Sequence, residues 1–247
     1  MNGSLAGRRA LVTGAAVRVG RALALSLAEV GVDLMIHYRS HPDAAEATAA
    51  DCRAHGVRAF TVQGDLQAAD DCRRVVDEAA RALGGLDTLV ASASTFEPRA
   101  FADIDEDHID RVLAVNLRAP LLMVQRARPF LAAGEPPGRV VLMNDVAGLE
   151  PWPRFIVHGM SKAGIGMLTR SLAQELAPEI TVNAIAPGTV LMPDGSSDDA
   201  TRRSAEKSVL GRVGSPDDVV GALHYLLDGD YVTGHTLVVD GGRLVRS

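Results

Sequence analysis

The 247-residue chain reads as an α/β protein built on one doubly wound parallel sheet, and three observations predict it. Short apolar segments alternate with longer amphipathic ones from end to end, without internal repeat, long linker or low-complexity stretch. Segments such as Val140-Val141-Leu142-Met143 are apolar almost throughout, which suits strands covered by helices on both faces. The first segment runs straight into a glycine turn and then a helix, the unit that opens a parallel sheet. Residues 1–247 are expected to form a single domain.

Taken in order, Arg9-Ala10-Leu11-Val12-Thr13 is the first strand, and the turn from Gly14 to Gly20 leads into a helix over 19–30 that ends at Gly31. Gly14 permits a sharp backbone turn, and Gly20 removes a side chain where phosphates and the neighbouring strand come close. The helix N-terminus behind them offers free N–H groups and partial positive charge. The second strand covers 32–37. Ser40, Pro42 and Asp43 start a helix over 42–54, followed by a strand at 57–62. A helix over 69–83 is stopped by Gly84-Gly85, and the fourth strand covers 87–92. The acidic stretch Asp103 to Asp110 begins a long helix over 105–133, where negative charge favours the helix dipole. Strands at 139–144, 180–185 and 235–239 alternate with helices at 155–177 and 215–228. The segment 187–214 follows a strand end and is rich in Gly, Ser, Asp and Pro, so it reads as a mobile lid over a ligand.

Composition narrows the function classes. With 47% hydrophobic and 23% charged residues, the chain can build a sizeable core and is not disordered. A formal charge of −6 with no basic run argues against nucleic acid, so any phosphate affinity must come from a few placed arginines. Apolar runs are broken before membrane-spanning length, and Met1-Asn2-Gly3-Ser4 lacks a signal-peptide pattern; a cytoplasmic protein without a membrane partner is expected. Cys52 and Cys72 fall in helices and are expected as reduced thiols. His41, His55, His108, His224 and His235 show no metal-ligand spacing and read as surface or satisfied residues, so no metal is expected.

Several local patterns line up in sequence. They are Thr13-Gly14-(x5)-Gly20, Asp65-Leu66 after the third strand, Asn116 in the long helix, and Lys162 early in the helix that follows strand 139–144. Asn183-Ala184-Ile185-Ala186-Pro187-Gly188 completes the series. Their order and spacing resemble the short-chain dehydrogenase/reductase family over essentially the whole chain. The resemblance implies a one-domain Rossmann-type fold of about seven parallel strands and a nicotinamide cofactor. Its binding residues would be Gly14, Arg18, Val19, Gly20, His37, Tyr38, Arg39, Ser40, Asp65, Leu66, Ser92, Ala93, Lys162, Pro187 and Gly188. It also implies a proton relay of Asn, Ser, Tyr and Lys, with Asn116 bending its helix and holding a water against the lysine. A homotetramer joined through helices 105–133 and 155–177 follows by the same analogy.

Departures from the family pattern are more informative than the matches. Arg18 replaces a glycine, and the second strand ends His37-Tyr38-Arg39-Ser40 with no acidic residue for a ribose 2′-hydroxyl. Guanidiniums from Arg18 and Arg39, with the Ser40 hydroxyl, favour a 2′-phosphate, so NADPH/NADP+ is expected over NADH. The alternative is that both arginines are merely solvated. Ala91-Ser92-Ala93 stands where the family usually has Asn-Asn-Ala.

Thr-Gly-Ala-Ala-x-Arg-x-Gly followed by His-Tyr-Arg-Ser looks like the pteridine reductases and the bacterial dihydromonapterin (dihydrofolate) reductases. Ser94-Thr95-Phe96 resembles their substrate-side serine and stacking aromatic, and Asp145 stands where they too replace the usual serine. A carboxylate suits the ring nitrogens of a pterin better than a simple ketone; its other reading is a strand-end residue accepting backbone N–H bonds. Ser94, Phe96, Asp145 and Trp152 are therefore the expected substrate contacts, with Phe96 and Trp152 flanking a flat ring or serving as local core.

Position 158, where the resemblance implies tyrosine, is His158. An imidazole, with an ordinary pKa of about 6.5, suits proton donation near neutrality. It is shorter than phenol, and a misplacement of about 1 Å costs on the order of a hundredfold in rate. Asp145, His158, Lys162 and Asn116 are thus the catalytic candidates, with an inert His158 as the alternative. Three functions follow: an NADPH-dependent reductase of a pterin-like C=N bond, a carbonyl or 3-oxoacyl reductase, and a weakened cofactor-binding member acting as sensor or subunit partner.

Overall fold

The computed structural model describes residues 5–133, 138–193 and 195–246. Its strands are β1 (Arg9–Val12), β2 (Asp33–Tyr38), β3 (Ala59–Gln63), β4 (Thr88–Ala91), β5 (Gly138–Met143), β6 (Ile180–Pro187) and β7 (Thr236–Val239). They form one seven-stranded sheet in the order β3-β2-β1-β4-β5-β6-β7, and every neighbouring pair is parallel. The expected doubly wound architecture is therefore present.

Side-chain alternation along the strands divides the core in two. Ala10 and Val12 of β1 point into a core with Leu23 and Leu27 of α1 (Arg18–Glu29) and Leu223 and Leu226 of α8 (Pro216–Asp228). Leu11 points the other way, toward Val75 and Leu83 of α3 (Ala69–Leu83) and Met123 of α5 (Ala119–Leu131). Each fully buried leucine is worth about 1.5–3 kcal/mol, and both faces of β1 are spent on such contacts, hence its uniformly apolar sequence. Cys52, on α2 (Pro42–Ala54), and Cys72, on α3, are buried in opposite cores and unbridged; burial pushes both thiols up to about 11.

The order of the strands positions the site. The chain leaves β1 toward β2 and later returns to β4 on the other side, so a crevice opens at the carboxyl ends of β1 and β4.

Two expectations are corrected. The helix expected over 105–133 is broken into α4 (Glu106–Leu113), a π turn over Ala114–Arg118 and α5. The π turn inserts extra residues into the helical repeat and turns Asn116 inward, where it is buried. Pro120 then falls in the first turn of α5, where its missing N–H is tolerated. The segment 187–214 is less irregular than expected: β6 runs to Pro187, and α7 (Asp198–Ala205) starts at Ser197, whose hydroxyl accepts from the Ala200 N–H at 3.2 Å. The remaining long helix, α6 (Ile156–Leu176), matches its expected span within a residue at each end. Among the described residues no helix is long and apolar enough to cross a membrane.

Candidate active site

A cleft of about 540 Å³ occupies the crevice, lined by Gly14, Arg18, Val19, Gly20, His37, Tyr38, Arg39, Ser40, Asp65, Leu66, Ser92, Ala93, Ser94 and Phe96, among others. A larger groove of about 730 Å³ lies against α4, α5 and α6 and holds none of the candidate catalytic residues, so size alone does not mark the site. Two glycines shape the cleft. Gly14 has φ +65°, and a Cβ there would come within 3.0 Å of the Ala93 Cα; a Cβ on Gly20 would run into the Gly14 carbonyl oxygen. Behind them α1 begins with neither a side-chain cap nor an acidic residue in its first turn, which leaves its N–H groups open. A bare glycine cradle ending in an uncapped helix N-terminus fits a dinucleotide pyrophosphate.

His37 is set beneath this cradle. The Gly14 N–H donates to its Nδ1 at 3.2 Å, so Nε2 carries the proton and donates to the Gly64 carbonyl at 3.1 Å. Burial drives its pKa down to about 4, which keeps the ring neutral. His37 lines the cleft, and both of its ring nitrogens are occupied by the backbone that shapes it.

Arg18 adopts φ +55°, a left-handed conformation that glycine takes without strain, and its guanidinium reaches the Leu191 and Met192 carbonyls at 3.3 and 3.4 Å. Asp65 donates its N–H to Asp71 at 2.7 Å, while its own carboxylate accepts from the Gln67 N–H at 3.0 Å. Pro187 and Gly188 are not among the residues lining the cleft; Gly188 donates its N–H to Val239.

The catalytic candidates meet around Thr95. The Asn116 carboxamide oxygen accepts from Thr95 N–H at 2.7 Å and the Ser94 hydroxyl at 3.2 Å. Its nitrogen donates to the Thr95 carbonyl at 3.0 Å and to Ser161 Oγ at 3.1 Å. Both amide hydrogens are thereby used, and Asn116 has none left for His158 Nδ1, 3.4 Å away. Nδ1 is 3.2 Å from the Thr95 carbonyl, which can only accept, so Nδ1 carries a proton. The remaining nitrogen, Nε2, is buried without a hydrogen bond, 3.5 Å from Asp145 Oδ2. The other Asp145 oxygen accepts from the Ala147 N–H at 2.7 Å, as a strand-end residue accepting a backbone N–H would.

Lys162 is buried and donates to the Met143 carbonyl at 2.8 Å. Burial pushes its pKa down to about 8, with the Asp145 charge opposing. Among the described residues its ammonium has no bond to Asn116 or His158; the amide of Asn116 instead joins the loop after β4 to α6.

The residues expected to face substrate form an aromatic group. Half-exposed Phe96 stacks on Phe155 at 4.3 Å and meets His158 edge-on at 4.9 Å. Trp152 is T-shaped to Phe96 at 6.4 Å, so these two do not form the parallel pair expected to flank a ring. Sequence reasoning missed Phe155. Its spacing from His158 was visible, but its contact with Phe96 spans distant parts of the chain. Of the two readings of His108, surface or satisfied, the surface one does not apply: it is buried with Nδ1 3.5 Å from Glu97 Oε2.

Among the described residues no cluster of three or more His, Cys, Asp or Glu is arranged to hold a metal ion. A family model described as enoyl-(acyl carrier protein) reductase matches residues 14–243. A 3-oxoacyl-[acyl-carrier-protein] reductase from Staphylococcus aureus is 32% identical over 95% of this chain and 97% of its own. A 3beta-hydroxysteroid dehydrogenase from Eggerthella lenta is 34% identical over 98% and 95% of the two chains. A short-chain dehydrogenase from Burkholderia cenocepacia, solved in complex with NADP, is 34% identical and superposes with a TM-score of 0.90 over 98% of this chain and 99% of that one. Likeness that spans the glycine cradle, the π turn and the last strand together makes this chain an oxidoreductase of the short-chain dehydrogenase/reductase family.

Proposed function

We propose that the protein is an NADPH-dependent reductase acting on a C=N bond of a pterin-like ring. The observation that carries this reading is the approach of His158 Nε2 to Asp145 Oδ2 at 3.5 Å beside an aromatic wall. A carboxylate paired with imidazole can bind ring N–H groups and supply a proton to a ring nitrogen, whereas a lone hydroxyl relay suits a ketone oxygen.

A nicotinamide held in the cleft would supply the hydride chemistry. This chain's residues do the rest. Arg18, Arg39 and Ser40 at the cleft edge provide the charge and donor set for a 2′-phosphate, and no acidic side chain stands among those three. The His158–Asp145 pair gives its proton to the ring nitrogen and is recharged through the partly exposed Asp145. Asn116 fixes Thr95, and Thr95 fixes the imidazole. Lys162 contributes a buried positive charge that interacts with Asp145. We extend the proposal to a homotetramer, with apolar Leu121 and Met167, exposed on α5 and α6, as the surface to be covered.

Carbonyl reduction is the second reading, favoured by the activities of the Staphylococcus and Eggerthella relatives. NADPH oxidation with a dihydropterin, compared with a 3-oxoacyl thioester and a diketone, decides between them. A kcat/KM at least about tenfold higher for the dihydropterin is expected, about 1.4 kcal/mol of transition-state preference. The opposite order would establish the carbonyl reading.

A further inference from the structure

The chain ends in a hook, residues 240–246. The Asp240 carboxylate accepts from the N–H groups of Gly242 and Leu244, both at 2.8 Å, and Gly241 and Gly242 take φ of +63° and +82°. The turn carries the tail back over the protein. Gly241 O accepts from Leu210 N–H at 3.0 Å and from the Ser208 hydroxyl at 2.9 Å, and Arg246 donates to Ser208 O at 3.1 Å. The same hook reaches the substrate side. Arg243 Nε donates to Glu150 Oε1 at 2.6 Å, and its guanidinium carbon lies 4.5 Å from the centre of the Trp152 ring. Trp152 donates its indole N–H to that same Glu150 oxygen at 2.5 Å.

One carboxylate oxygen therefore fixes the indole edge while a planar cation covers the indole face. Arg243 is mostly buried, at 13% side-chain exposure, so this contact is shielded from water and salt. Trp152 in turn meets Phe96 and Phe155 edge-on at 6.4 and 6.1 Å.

We propose that Arg243, acting with Glu150, is a positioning residue that sets Trp152 as the outer wall of the substrate site. The C-terminal hook is thereby part of the site and ties that wall to the Ser208–Leu210 segment after α7. The inference rests on the reading of the Phe96–Trp152–Phe155 cluster as the substrate side. It concerns the residue that orients the wall and names no new reaction.

The test is favoured by composition, because Trp152 is the only tryptophan in the chain and its fluorescence reports this place alone. The full-length Arg243→Ala, Arg243→Lys and Glu150→Gln variants are compared with the wild type for acrylamide quenching without ligand, for NADPH affinity, and for KM and kcat with a dihydropterin. Arg243→Ala is expected to raise the quenching constant about twofold and KM about tenfold, with kcat and NADPH affinity within about twofold. Arg243→Lys keeps charge without the planar stack, so it should restore less than half of the KM effect. Glu150→Gln should reproduce the quenching change more weakly.

Unchanged quenching and KM in Arg243→Ala would overturn the proposal. So would loss of NADPH affinity in both the Arg243→Ala and Glu150→Gln variants, which would mark a purely structural role. If the wild type reduces no dihydropterin, the pterin reading fails, while the quenching comparison still decides whether Arg243 orients the wall.

Discussion

His158 presents Nε2 to Asp145 Oδ2 at 3.5 Å while its Nδ1 proton is committed to the Thr95 carbonyl at 3.2 Å. The ring is thus anchored at one nitrogen and turned toward a carboxylate at the other. Asp145→Asn replaces the acceptor with an amide that can donate to Nε2 and hold the ring neutral. The expected result is a fall in kcat of about a hundredfold with NADPH affinity within about twofold. His158→Tyr sharpens the test. The longer phenol would be driven toward Asp145 and the Phe96 ring, so a loss of at least about tenfold in kcat is expected. A rise in kcat would instead identify the natural protein as a weakened catalyst.

The sequence made the sheet legible because β strands buried on both faces must be apolar throughout, and the glycine turn names its own neighbours. A bend at Asn116 was implied by the family resemblance, but its form as a π turn over Ala114–Arg118 was not legible: a π turn has the same composition as the helix around it, and Asn116 is drawn inward by Thr95 and Ser161 from other parts of the chain. Helix α7 was hidden by its charge, since a short exposed helix with no buried residue leaves no apolar period to read. Gly14, Gly20, Asn116, Asp145 and His158 could be found because each breaks or makes a local rule. Phe155, Glu150 and Arg243 could not, because each owes its role to partners that the fold brings together, most of them distant in the chain.

Lys162 gives the site an alkaline limit. Burial pushes its pKa from 10.5 down to about 8, so the ammonium is charged at neutrality and is lost as pH rises through about 8. The wild-type kcat is expected to fall above that pH, and Lys162→Met should be slow and pH-independent there. Stability moves the opposite way. Between about pH 8 and 10.5 the unfolded chain binds more protons at this residue than the native one, so the native state gains stability as pH rises across that window. At pH 7 the same buried charge is a liability, and Lys162→Met should be more stable than the wild type by about 2 kcal/mol in urea titrations.

His37 sets an acid limit on the fold beneath the cofactor cradle. Its native pKa of about 4 lies below the unfolded value of 6.5, because burial opposes the charged ring. The stability it contributes is therefore intact above about pH 6.5 and is lost as pH falls from there to about 4. Urea midpoints at pH 6.5 and 4.5 should reveal a loss of about 2–3 kcal/mol attributable to this one group. His37→Asn carries an oxygen that can accept from the Gly14 N–H and has no titration in this range. It should lose stability at pH 6.5 but show a shallower acid limb than the wild type. Equal limbs in the two proteins would place the acid sensitivity elsewhere.

Arg18 occupies a backbone position that suits glycine, at φ +55°, and an L-residue there costs about 1 kcal/mol. Its hydrogen bonds to the Leu191 and Met192 carbonyls, at 3.3 and 3.4 Å, are long and exposed. A charged side chain kept at such a site points to a use for the charge, and the cleft edge it shares with Arg39 and Ser40 is where a 2′-phosphate would be recognised. Arg18→Gly relieves the backbone and removes the guanidinium together. Stability within about 1 kcal/mol of the wild type is expected, because strain relief and lost contacts are similar in size. Affinity for NADPH should fall at least about tenfold while that for NADH changes less than about twofold, since only the former carries the extra phosphate. Parallel losses for the two coenzymes would show that Arg18 shapes the cradle and does not read the phosphate; an unchanged preference would leave Arg39 and Ser40 to carry that recognition without it.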